Sequence, residues 1–418
     1  MAQLSDDCFA HGGPLMRVDE ALDLLRRTMV CVTAPEAVPL AQGLGRILAE
    51  DVVAPHDVPP YDNAAVDGYA VFFDDLDPAA ETRLPVTGRA TAGHALGRAA
   101  RRGEAIRIFT GARMPEGPDC VMMQEDGRLE GETVVLRPGL KRGANRRKRG
   151  EDIAAGRTVL TRGMRLRPQD LGQAAAVGRT ELLVSRPLKV ALFSTGDELR
   201  EPGRPLDAGC IYDSNRYTIA ALLAGLGCAV DDLGILRDRV ATLRAALGRA
   251  AQDHDLIVTS GGVSVGEEDH VKQAVEALGR LHAWRLAIKP GRPIALGQVG
   301  RVPFVGLPGN PVAVMVTFLN IVRPMIIRLM GGTGLAPRHF RVRAGFAYKK
   351  KKDRREWVRA RLEPDGAAGW RAVKFPRDGA GILSSMVESE GLIELPEDMT
   401  ALEPGTMVDF LPFSEVTS

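Results

Sequence analysis

The 418-residue sequence has few cysteines and histidines, and neither type is spaced as a metal site requires. Its five cysteines, Cys8, Cys31, Cys120, Cys210 and Cys228, form no CxxC pair, which argues against a thiolate zinc site and a disulfide framework. None of its seven histidines forms the i, i+4 pair of a zinc protease. A metal held by oxygen ligands is not excluded, and unpaired cysteines fit a reducing, cytoplasmic location.

The sequence also lacks a charge excess and an uninterrupted apolar segment. Its 55 Lys and Arg residues and 53 Asp and Glu residues give a net charge of +2, so we expect no nucleic-acid partner. The N-terminus has no charged region followed by an apolar core, which argues against a signal peptide. Residues 312–330 are apolar but contain Asn320, Arg323 and Pro324, whereas a bilayer span needs about 20 predominantly apolar residues. We therefore predict a buried helix and no membrane partner.

The length of the chain indicates several domains, because single cores stop growing at roughly 250–300 residues. Apolar residues at helical spacing predict an opening amphipathic helix, and residues 55–138 contain short β-type runs separated by Gly and Pro. A helix starting at Pro168 is expected in the segment that follows. We predict that residues 1–54 and 139–185 form one N-terminal domain, into which residues 55–138 are inserted as a small β domain.

The second half of the sequence changes pattern twice. From residue 186 to 330 strands alternate with helices, which predicts right-handed βαβ units around a mainly parallel, doubly wound sheet. From residue 331 to 418 only β-type runs follow, and these indicate a small β-barrel or sandwich. The predicted fold class is a multidomain α/β protein.

Acidic residues follow the predicted strands of the α/β domain. Asp197 and Glu198 follow the first strand, Asp238 the second, and Asp269 comes soon after the third. Ligands of open α/β sheets bind outside the carboxyl ends of the strands, and converging carboxylates suit Mg²⁺ shared with substrate phosphates. The alternative is that these acids only cap helix N-termini.

The run SGGVSVG, residues 260–266, lies between an apolar strand and a helix. Its glycines would expose backbone N–H groups that bind a phosphate or another oxyanion beside the helix N-terminus. It matches neither the P-loop nor the dinucleotide fingerprint, so the anion stays unspecified. The alternative is a plain tight turn.

Two further motifs of this domain carry cations and prolines. IKPGRP has Lys289 and Arg292 at the end of a strand, and we expect these cations to bind an oxyanion substrate. LPGNP has Pro308, Asn310 and Pro311 at the start of the apolar helix, where the prolines rigidify the loop and begin the helix. A purely structural role is the favoured interpretation of the prolines.

Two loops outside the α/β domain also carry charged side chains. Residues 141–152 hold six cations ahead of Glu151 and Asp152, which is typical of a solvated face, with phosphate steering as the functional alternative. DNAAVDGYA has Asp62 and Asp67 on either side of small residues, as a close-approach loop would.

Taken together, the motifs resemble those of the molybdopterin molybdenumtransferases, MoeA, whose animal relative forms the E domain of gephyrin. The resemblance covers nearly the whole chain, and the motifs stand in the family's order at suitable spacing. They are PPYDNAAVDGYAV, FTGARMPEGPDCVMMQE, NRRKRGEDI, STGDEL, IYDSNR, SGGVSVGEEDH, IKPGRP and LPGNPV.

The resemblance implies an elongated α+β N-terminal domain and a homodimer with each active site between the α/β domain of one subunit and the β domain of the other. It implies Mg²⁺-assisted insertion of molybdate into adenylylated molybdopterin with release of AMP. It also makes the preceding adenylyltransferase and molybdoenzyme acceptors candidate protein partners.

The resemblance further implies roles for individual residues. The catalytic candidates are Asp67, Thr110, Asp152, Glu198, Asp238 and Asp269, of which Asp238 and Asp269 are the candidate Mg²⁺ ligands. The candidate anion contacts are Arg147, Lys289, Arg292 and Arg355. The candidate phosphate or pterin contacts are Ser260, Gly261, Gly262 and Ser264, with Pro308, Asn310 and Pro311 in the substrate-binding loop.

The chain departs from the family pattern at four positions and leaves two other functions open. Ala65, Ala313 and Ala380 stand where the family commonly has Ser, and Asp378 stands where it commonly has Gln. Lost hydroxyl groups near an oxyanion site would weaken molybdate binding or change the preferred oxyanion, such as tungstate. The alternative functions are a MogA-type molybdopterin adenylyltransferase and a catalytically weak scaffold.

Overall fold

The secondary structure follows the order predicted from the sequence. A computed structural model of the chain describes residues 15–261, 270–366 and 369–417. The first half contains α1 (Val18–Thr28), β1 (Pro35–Pro39), β2 (Val52–Val53), β3 (Asn63–Ala64), β4 (Gly68–Val71), β5 (Thr82–Ala90), β6 (Ala105–Ile108), β7 (Cys120–Met123), β8 (Gly127–Glu130), β9 (Thr133–Leu136), β10 (Arg146–Arg147), β11 (Thr158–Leu160), α2 (Pro168–Ala176) and β12 (Glu181–Ser185).

The remaining elements are as follows. The α/β region contains β13 (Lys189–Thr195), β14 (Leu199–Arg200), β15 (Ile211–Tyr212), α3 (Ser214–Gly225), β16 (Ala229–Leu236), α4 (Val240–Asp253), β17 (Leu256–Ser260), α5 (His270–Glu276), β18 (Gly279–Arg285), β19 (Ile288–Lys289), β20 (Pro293–Val299), β21 (Val302–Leu307), α6 (Pro311–Thr317) and α7 (Arg323–Leu329). The last region contains β22 (Phe340–Ala344), β23 (Tyr348–Lys349), β24 (Arg355–Pro364), β25 (Trp370–Lys374), α8 (Ser384–Val387), β26 (Gly391–Leu395), β27 (Ala401–Leu402) and β28 (Met407–Pro412).

Short antiparallel pairings join the two segments on either side of the predicted insertion. β1 pairs with β12, and β2 pairs with β11. Helix α2 begins at Pro168, as predicted, because proline fixes a helical φ where no N–H partner is needed. Helix α1 does not join these ribbons: its apolar side packs in the α/β core against α7. A helix with an apolar stripe needs an apolar surface, and the ribbons are too short to provide one.

The β-type runs of residues 55–138 form a six-stranded sheet of their own. Its strand order is β7-β4-β6-β5-β9-β8. The pairings are antiparallel except between β5 and β6. Alternate side chains on this sheet build two small cores, one around Ile106 and Ile108 and one around Val71 and Val134. This unit therefore carries its own hydrophobic core, separate from that of the α/β region.

The α/β region contains a mainly parallel sheet, as predicted. Its strand order is β16-β13-β17-β21-β20-β18, and β20 runs antiparallel to both of its neighbours. Val190 and Leu192 of β13 point into the core with α3, α6 and α7, whereas Ala191 and Phe193 point into the core with α4 and α5. Because side chains alternate along a strand, helices cover both faces of the sheet. This is the doubly wound arrangement.

The most apolar segment of the chain is a buried helix, as predicted. Pro311–Leu329 is long and apolar enough to cross a membrane by length and composition, but 83% of its most apolar window is buried inside the protein. The segment contains a π-helical turn, Phe318–Val322, between α6 and α7. Pro324 has no N–H to donate one turn back, and such interruptions of the hydrogen-bond ladder favour a π turn.

The last region is a closed barrel that is tied to the α/β region. Strands β24-β25-β22-β28-β26 form a ring, which the pairing of β26 with β24 closes. Strand β19 of the α/β region pairs with the start of β24, so that Ile288 lies beside Arg355 and Lys289 beside Glu356. This pairing brings the IKPGRP segment against the barrel.

Candidate active site

The predicted strand ends lie side by side at one edge of the α/β sheet. β13 pairs in parallel with β16 and β17, with Thr195 opposite Leu236 and Ser194 opposite Ser260. β17 in turn pairs with β21, with Ser260 opposite Leu307. The loops that leave this edge carry Glu198, Asp238, Gly261 and Pro308.

Asn215 connects two of these loops. The residue lies in the first turn of α3, and its Nδ2 donates to Ser260 Oγ at 3.0 Å and to the Gly309 carbonyl at 2.7 Å. Its Oδ1 is buried and has no hydrogen-bond partner in the part of the chain that the structure describes. Asn215 belongs to the IYDSNR motif, but the sequence alone does not single it out, because an isolated Asn near a helix start is usually a cap.

Gly261 lies where a side chain cannot fit. Its φ is +86°, and a Cβ atom built on it would lie 2.6 Å from the carbonyl oxygen of Thr195. This conformation favours glycine, and the close approach brings the loop after β17 directly against the end of β13. Gly262, Ser264 and Asp269 lie outside the described residues.

The carboxylates of this edge differ in burial. Glu198 is exposed, whereas Asp238 is half-buried. Asp238 Oδ1 lies 3.3 Å from His270 Nδ1, and both atoms are inaccessible to solvent without forming a hydrogen bond to any described residue. The 3.3 Å separation is within ion-pair distance, but the two atoms are not aligned for a hydrogen bond, so Asp238 Oδ1 has no hydrogen-bond partner among the described residues. Within residues 15–261, 270–366 and 369–417, no group of three or more His, Cys, Asp or Glu side chains is arranged to hold a metal.

A cavity of about 260 Å³ lies where the α/β region meets the barrel. Lys289, Arg292, Pro308 and Asn310 line it from the α/β side. The barrel contributes Tyr348, Glu356, Arg359 and Lys374. Four cations therefore face one small cavity next to the strand ends, which suits a charged oxyanion. We call it the basic pocket.

Arg359 is the most deeply buried cation of the basic pocket. The residue is 8% exposed, and its guanidinium donates to the Arg377 carbonyl at 3.2 Å. Its Nε is buried and has no partner among the residues described. Burial lowers the pKa of Arg359, and the Asp378 carboxylate opposes that shift. A buried guanidinium with an unused donor is a position where an anion would gain a strong, charge-assisted hydrogen bond.

Lys289 is held at the entrance of the basic pocket by Tyr348 and Glu356. Its Nζ donates to Tyr348 Oη at 3.1 Å and lies 3.4 Å from Glu356 Oε2. Tyr348 Oη donates to the same carboxylate oxygen at 2.9 Å. Burial acts to lower the pKa of Lys289, but Tyr348 and Glu356 outweigh it and raise that pKa. The ammonium group is therefore charged and oriented before any ligand binds.

Arg355 points away from the basic pocket. Its guanidinium lies 2.9 Å from Asp19, 3.2 Å from Glu397 and 3.2 Å from Glu394. Three carboxylates around one guanidinium leave it little attraction for a further anion, and the cluster joins helix α1 to the barrel. Arg359, Lys374 and Tyr348 were not found from the sequence. An arginine or lysine within a β-type run, such as Arg359 in EWVRARLE, is the signal that could have indicated a buried cation.

Four candidate residues lie on other parts of the chain. Asp67 Oδ1 accepts hydrogen bonds from the backbone N–H and the hydroxyl of Thr110, both at 2.8 Å. These two bonds lower the pKa of Asp67. Arg147 is exposed on β10, which pairs with β3, and Asp152 is exposed after it. Asp67 and Thr110 thus form a hydrogen-bonded pair on the inserted sheet. The strand ends of the α/β region belong to a different sheet.

Much of the basic run at residues 141–152 is neutralised by neighbouring acids. Arg142 forms an ion pair with Asp119 at 3.0 Å, and Arg149 pairs with Asp57 at 2.5 Å. This observation favours the solvated-face interpretation for these side chains.

Three of the four positions at which the sequence resemblance implied a departure line the basic pocket. Ala313, Asp378 and Ala380 are all part of its wall, and Asp378 Oδ1 lies 3.0 Å from Lys374 Nζ. Ala65 lies elsewhere, and its backbone N–H donates to the Asn145 carbonyl at 2.9 Å. The side-chain differences that bear on oxyanion binding are therefore concentrated in one place.

Three family descriptions match successive parts of the chain. Residues 16–178 match the MoeA N-terminal region (domain I and II), and residues 191–328 match a probable molybdopterin binding domain. Residues 341–413 match the MoeA C-terminal region (domain IV). Together these matches cover most of the length described above.

Relatives of nearly full length match as well. A molybdopterin molybdenumtransferase from Haemophilus influenzae is 38% identical over 96% of this chain and 100% of its own length. Molybdopterin molybdenumtransferase 2 from Mycobacterium tuberculosis is 37% identical over 91% of this chain and 95% of its own. The crystal structure of a molybdopterin biosynthesis MoeA protein from Pyrococcus horikoshii OT3 superposes with a TM-score of 0.81 at 28% identity, covering 96% of this chain and 100% of that one.

Proposed function

Because this chain belongs to the molybdopterin molybdenumtransferase family and acts in molybdenum cofactor biosynthesis, we propose that it inserts molybdate into adenylylated molybdopterin and releases AMP. The observation that carries the proposal is the basic pocket, with its buried and unpartnered Arg359 Nε, beside the strand ends that would bind a nucleotide phosphate.

In this proposal the basic pocket binds molybdate. Lys289, Arg292, Arg359 and Lys374 supply positive charge, and Pro308 and Asn310 form the wall nearest the sheet edge. Arg359 takes the role of buried anion contact that the family resemblance suggested for Arg355, which is surrounded by carboxylates instead. The cations hold the oxyanion beside the loop against which the dithiolene sulfurs of the substrate would bind.

The strand-end loops bind the adenylyl phosphate in this proposal. Ser260 and Gly261 present a hydroxyl and a backbone against the end of β13, and the Asn215 amide holds the Ser260 hydroxyl. We further propose that Gly262 and Ser264, which lie outside the described residues, contribute phosphate contacts, and that Asn310 and Pro311 contribute from the start of α6.

We propose that Asp238 and Asp269 hold Mg²⁺, with Glu198 nearby. The unpartnered, buried Asp238 Oδ1 fits a hard cation, which prefers carboxylate oxygens. When bound, the cation would neutralise charge on the phosphoanhydride as AMP leaves. The chain's own contribution is to position Asp238, whose Oδ1 lies 3.3 Å from His270 Nδ1.

We also propose a homodimer in which the partner subunit supplies Asp67, Thr110, Asp152 and Arg147. These residues belong to units with cores of their own, so a second subunit is a simple way to bring them to the strand ends. Two proteins would then meet this enzyme in the cytoplasm: an adenylyltransferase that makes its substrate and a molybdoenzyme that accepts its product.

Two assays on the purified full chain test the function. The first measures molybdate-dependent release of AMP from adenylylated molybdopterin, and the second measures ATP-dependent adenylylation of molybdopterin. We expect activity only in the first assay. Activity only in the second would identify an adenylyltransferase, and activity in neither would favour a scaffold.

A further inference from the structure

The basic pocket contains two carboxylates in very different environments. Glu356 is 1% exposed and is held by Arg354 at 2.6 Å, by Lys289 and by Tyr348. Asp378 lies at the rim with 65% of its side chain exposed, and its one ion pair in the described structure is with Lys374 at 3.0 Å. Glu356 is therefore part of the framework, whereas Asp378 can interact with whatever enters the pocket.

Asp378 reduces the positive charge available to a ligand. The Lys374 side chain is 17% exposed, and its ammonium forms an ion pair with the Asp378 carboxylate. The Asp378 charge also acts on Arg359, where it partly opposes the effect of burial on the pKa. An incoming oxyanion must therefore compete with Asp378 for the Lys374 ammonium. Its attraction to Arg359 is also weakened by the nearby Asp378 charge.

The other side chains around Asp378 do not compensate for this loss. Ala313 and Ala380 present methyl groups, which offer no hydrogen bond to an oxyanion. On this side of the pocket an anion can therefore bind only to cations and backbone N–H groups. The net charge around it controls affinity more strongly than it would in a pocket rich in hydroxyl groups.

We propose that Asp378 sets the oxyanion affinity of the basic pocket by holding Lys374, so that molybdate is bound weakly enough to be passed on. The inference rests on the proposed function. Binding energy that the ground state and the transition state share lowers KM without raising kcat, and excess ground-state binding slows transfer. Asp378 is in this sense a positioning residue that sets affinity through Lys374.

Direct titration of the full chain with molybdate, tungstate and sulfate tests the proposal. We expect Asp378→Asn to lower the Kd for each dianion by roughly two- to five-fold, the range expected when a largely exposed ion pair is removed. The difference should shrink at high salt, because screening weakens exposed charges. Asp409→Asn is the matched control: it removes one carboxylate from an exposed barrel ion pair, with Arg341 at 3.2 Å, outside the pocket.

A double-mutant cycle makes the test specific to the ion pair. Lys374→Gln should weaken binding only slightly in the natural background, because Asp378 already occupies the ammonium, and more strongly when combined with Asp378→Asn. In the AMP-release assay Asp378→Asn should lower KM for molybdate without raising kcat.

The outcomes separate this inference from the proposed function. Unchanged or weaker binding by Asp378→Asn, equal gains in the Asp409→Asn control, or no detectable dianion binding by any variant would overturn it. Loss of the proposed function would instead appear as absent AMP release by the natural chain, whatever the titrations give.

Discussion

Asn215 donates a hydrogen bond from its side-chain amide to the hydroxyl of Ser260 at 3.0 Å. The same amide also donates to the Gly309 carbonyl at 2.7 Å, so one side chain on α3 joins the end of β17 to the loop after β21. The described residues next to these two contacts, Gly261 and 308–310, have no regular secondary structure. The arrangement of the proposed phosphate-binding edge therefore depends on a residue that need not touch the substrate.

Replacing Asn215 should separate folding from activity. We expect Asn215→Ala to reduce AMP release at least about ten-fold and to lower the free energy of unfolding by about 1 kcal/mol, the usual net value of a lost hydrogen bond. Thermal unfolding and AMP release measured on the same preparation would check this. Thr218→Ala is the control, since its hydroxyl bonds within the same helix to the Ser214 carbonyl. Equal activity of the two variants would contradict the prediction.

Gly261 should not tolerate a side chain. We expect Gly261→Ala to lose activity and about 1–3 kcal/mol of stability, because its φ is positive and the new Cβ would meet the Thr195 carbonyl. The matched variant is Gly248→Ala in the interior of α4, where a Cβ would meet nothing within 4 Å. That substitution should stabilise the helix by about 0.5–1 kcal/mol. Chemical denaturation of the two variants measures the contrast, and similar changes in both would contradict it.

Asp269 is predicted to be required for chemistry but not for folding. Asp269→Asn should abolish AMP release while circular dichroism and the unfolding temperature stay as in the natural chain, because the amide cannot replace a charged oxygen ligand. Glu268→Gln in the same loop is the control and should keep activity. Unchanged turnover by Asp269→Asn would remove the proposed mechanism.

Glu104 should make the inserted sheet sensitive to acid. Arg98 donates to its carboxylate at 2.6 Å and Thr87 at 2.5 Å, and the bond from Arg98 is the main cause that lowers the pKa of Glu104 to about 2. A depressed folded pKa stabilises the fold above the ordinary value of 4.5, and this stabilisation disappears as the pH falls from there towards about 2.

Glu104→Gln should therefore lower the free energy of unfolding by about 1–2 kcal/mol at pH 7, after allowance for the half-exposed Arg98. Below pH 4.5 the difference between the two proteins should become progressively smaller. Unfolding temperatures of both proteins from pH 7 to 3 would show the two curves converging. Parallel curves over this range would mean that Glu104 contributes no pH-dependent stability.

Subunit mixing tests whether each active site uses two subunits. Asp67→Ala and Asp238→Asn should each be inactive alone, because each removes one carboxylate that the proposed site requires. Asp67 lies on the inserted sheet and Asp238 at the α/β edge. After exchange, half of the dimers would be mixed and each would hold one intact site of two, so we expect roughly a quarter of the natural activity. Mixing either variant with itself is the control. No recovery despite proven exchange would assign all residues of a site to one subunit.

Local signals in the sequence determined the elements and the edge at which the site lies. Pro168 starts a helix because its ring fixes φ, and alternating strands and helices define a parallel sheet whose carboxyl ends must share one edge. Glu198, Asp238 and Ser260 could be assigned to that edge before any coordinates, because each directly follows or ends a strand. The order of many motifs then indicated the family.

Only the tertiary structure decided which distant side chains complete the site. Arg355 and Arg359 lie about 13 Å apart on one barrel strand, at about 3.3 Å per residue, and the sequence resemblance favoured the first. Pairing of β24 with β26 and the packing of helix α1 beside the barrel instead surround Arg355 with Glu394, Glu397 and Asp19. Arg359 lies buried in the basic pocket. Helix α1 likewise packs on the α/β core, not on the ribbons that follow it in sequence. Such contacts join residues that lie far apart in the chain. Which residues meet depends on how the sheets close and on which apolar surfaces are still exposed to be buried. No local sequence pattern encodes either of these.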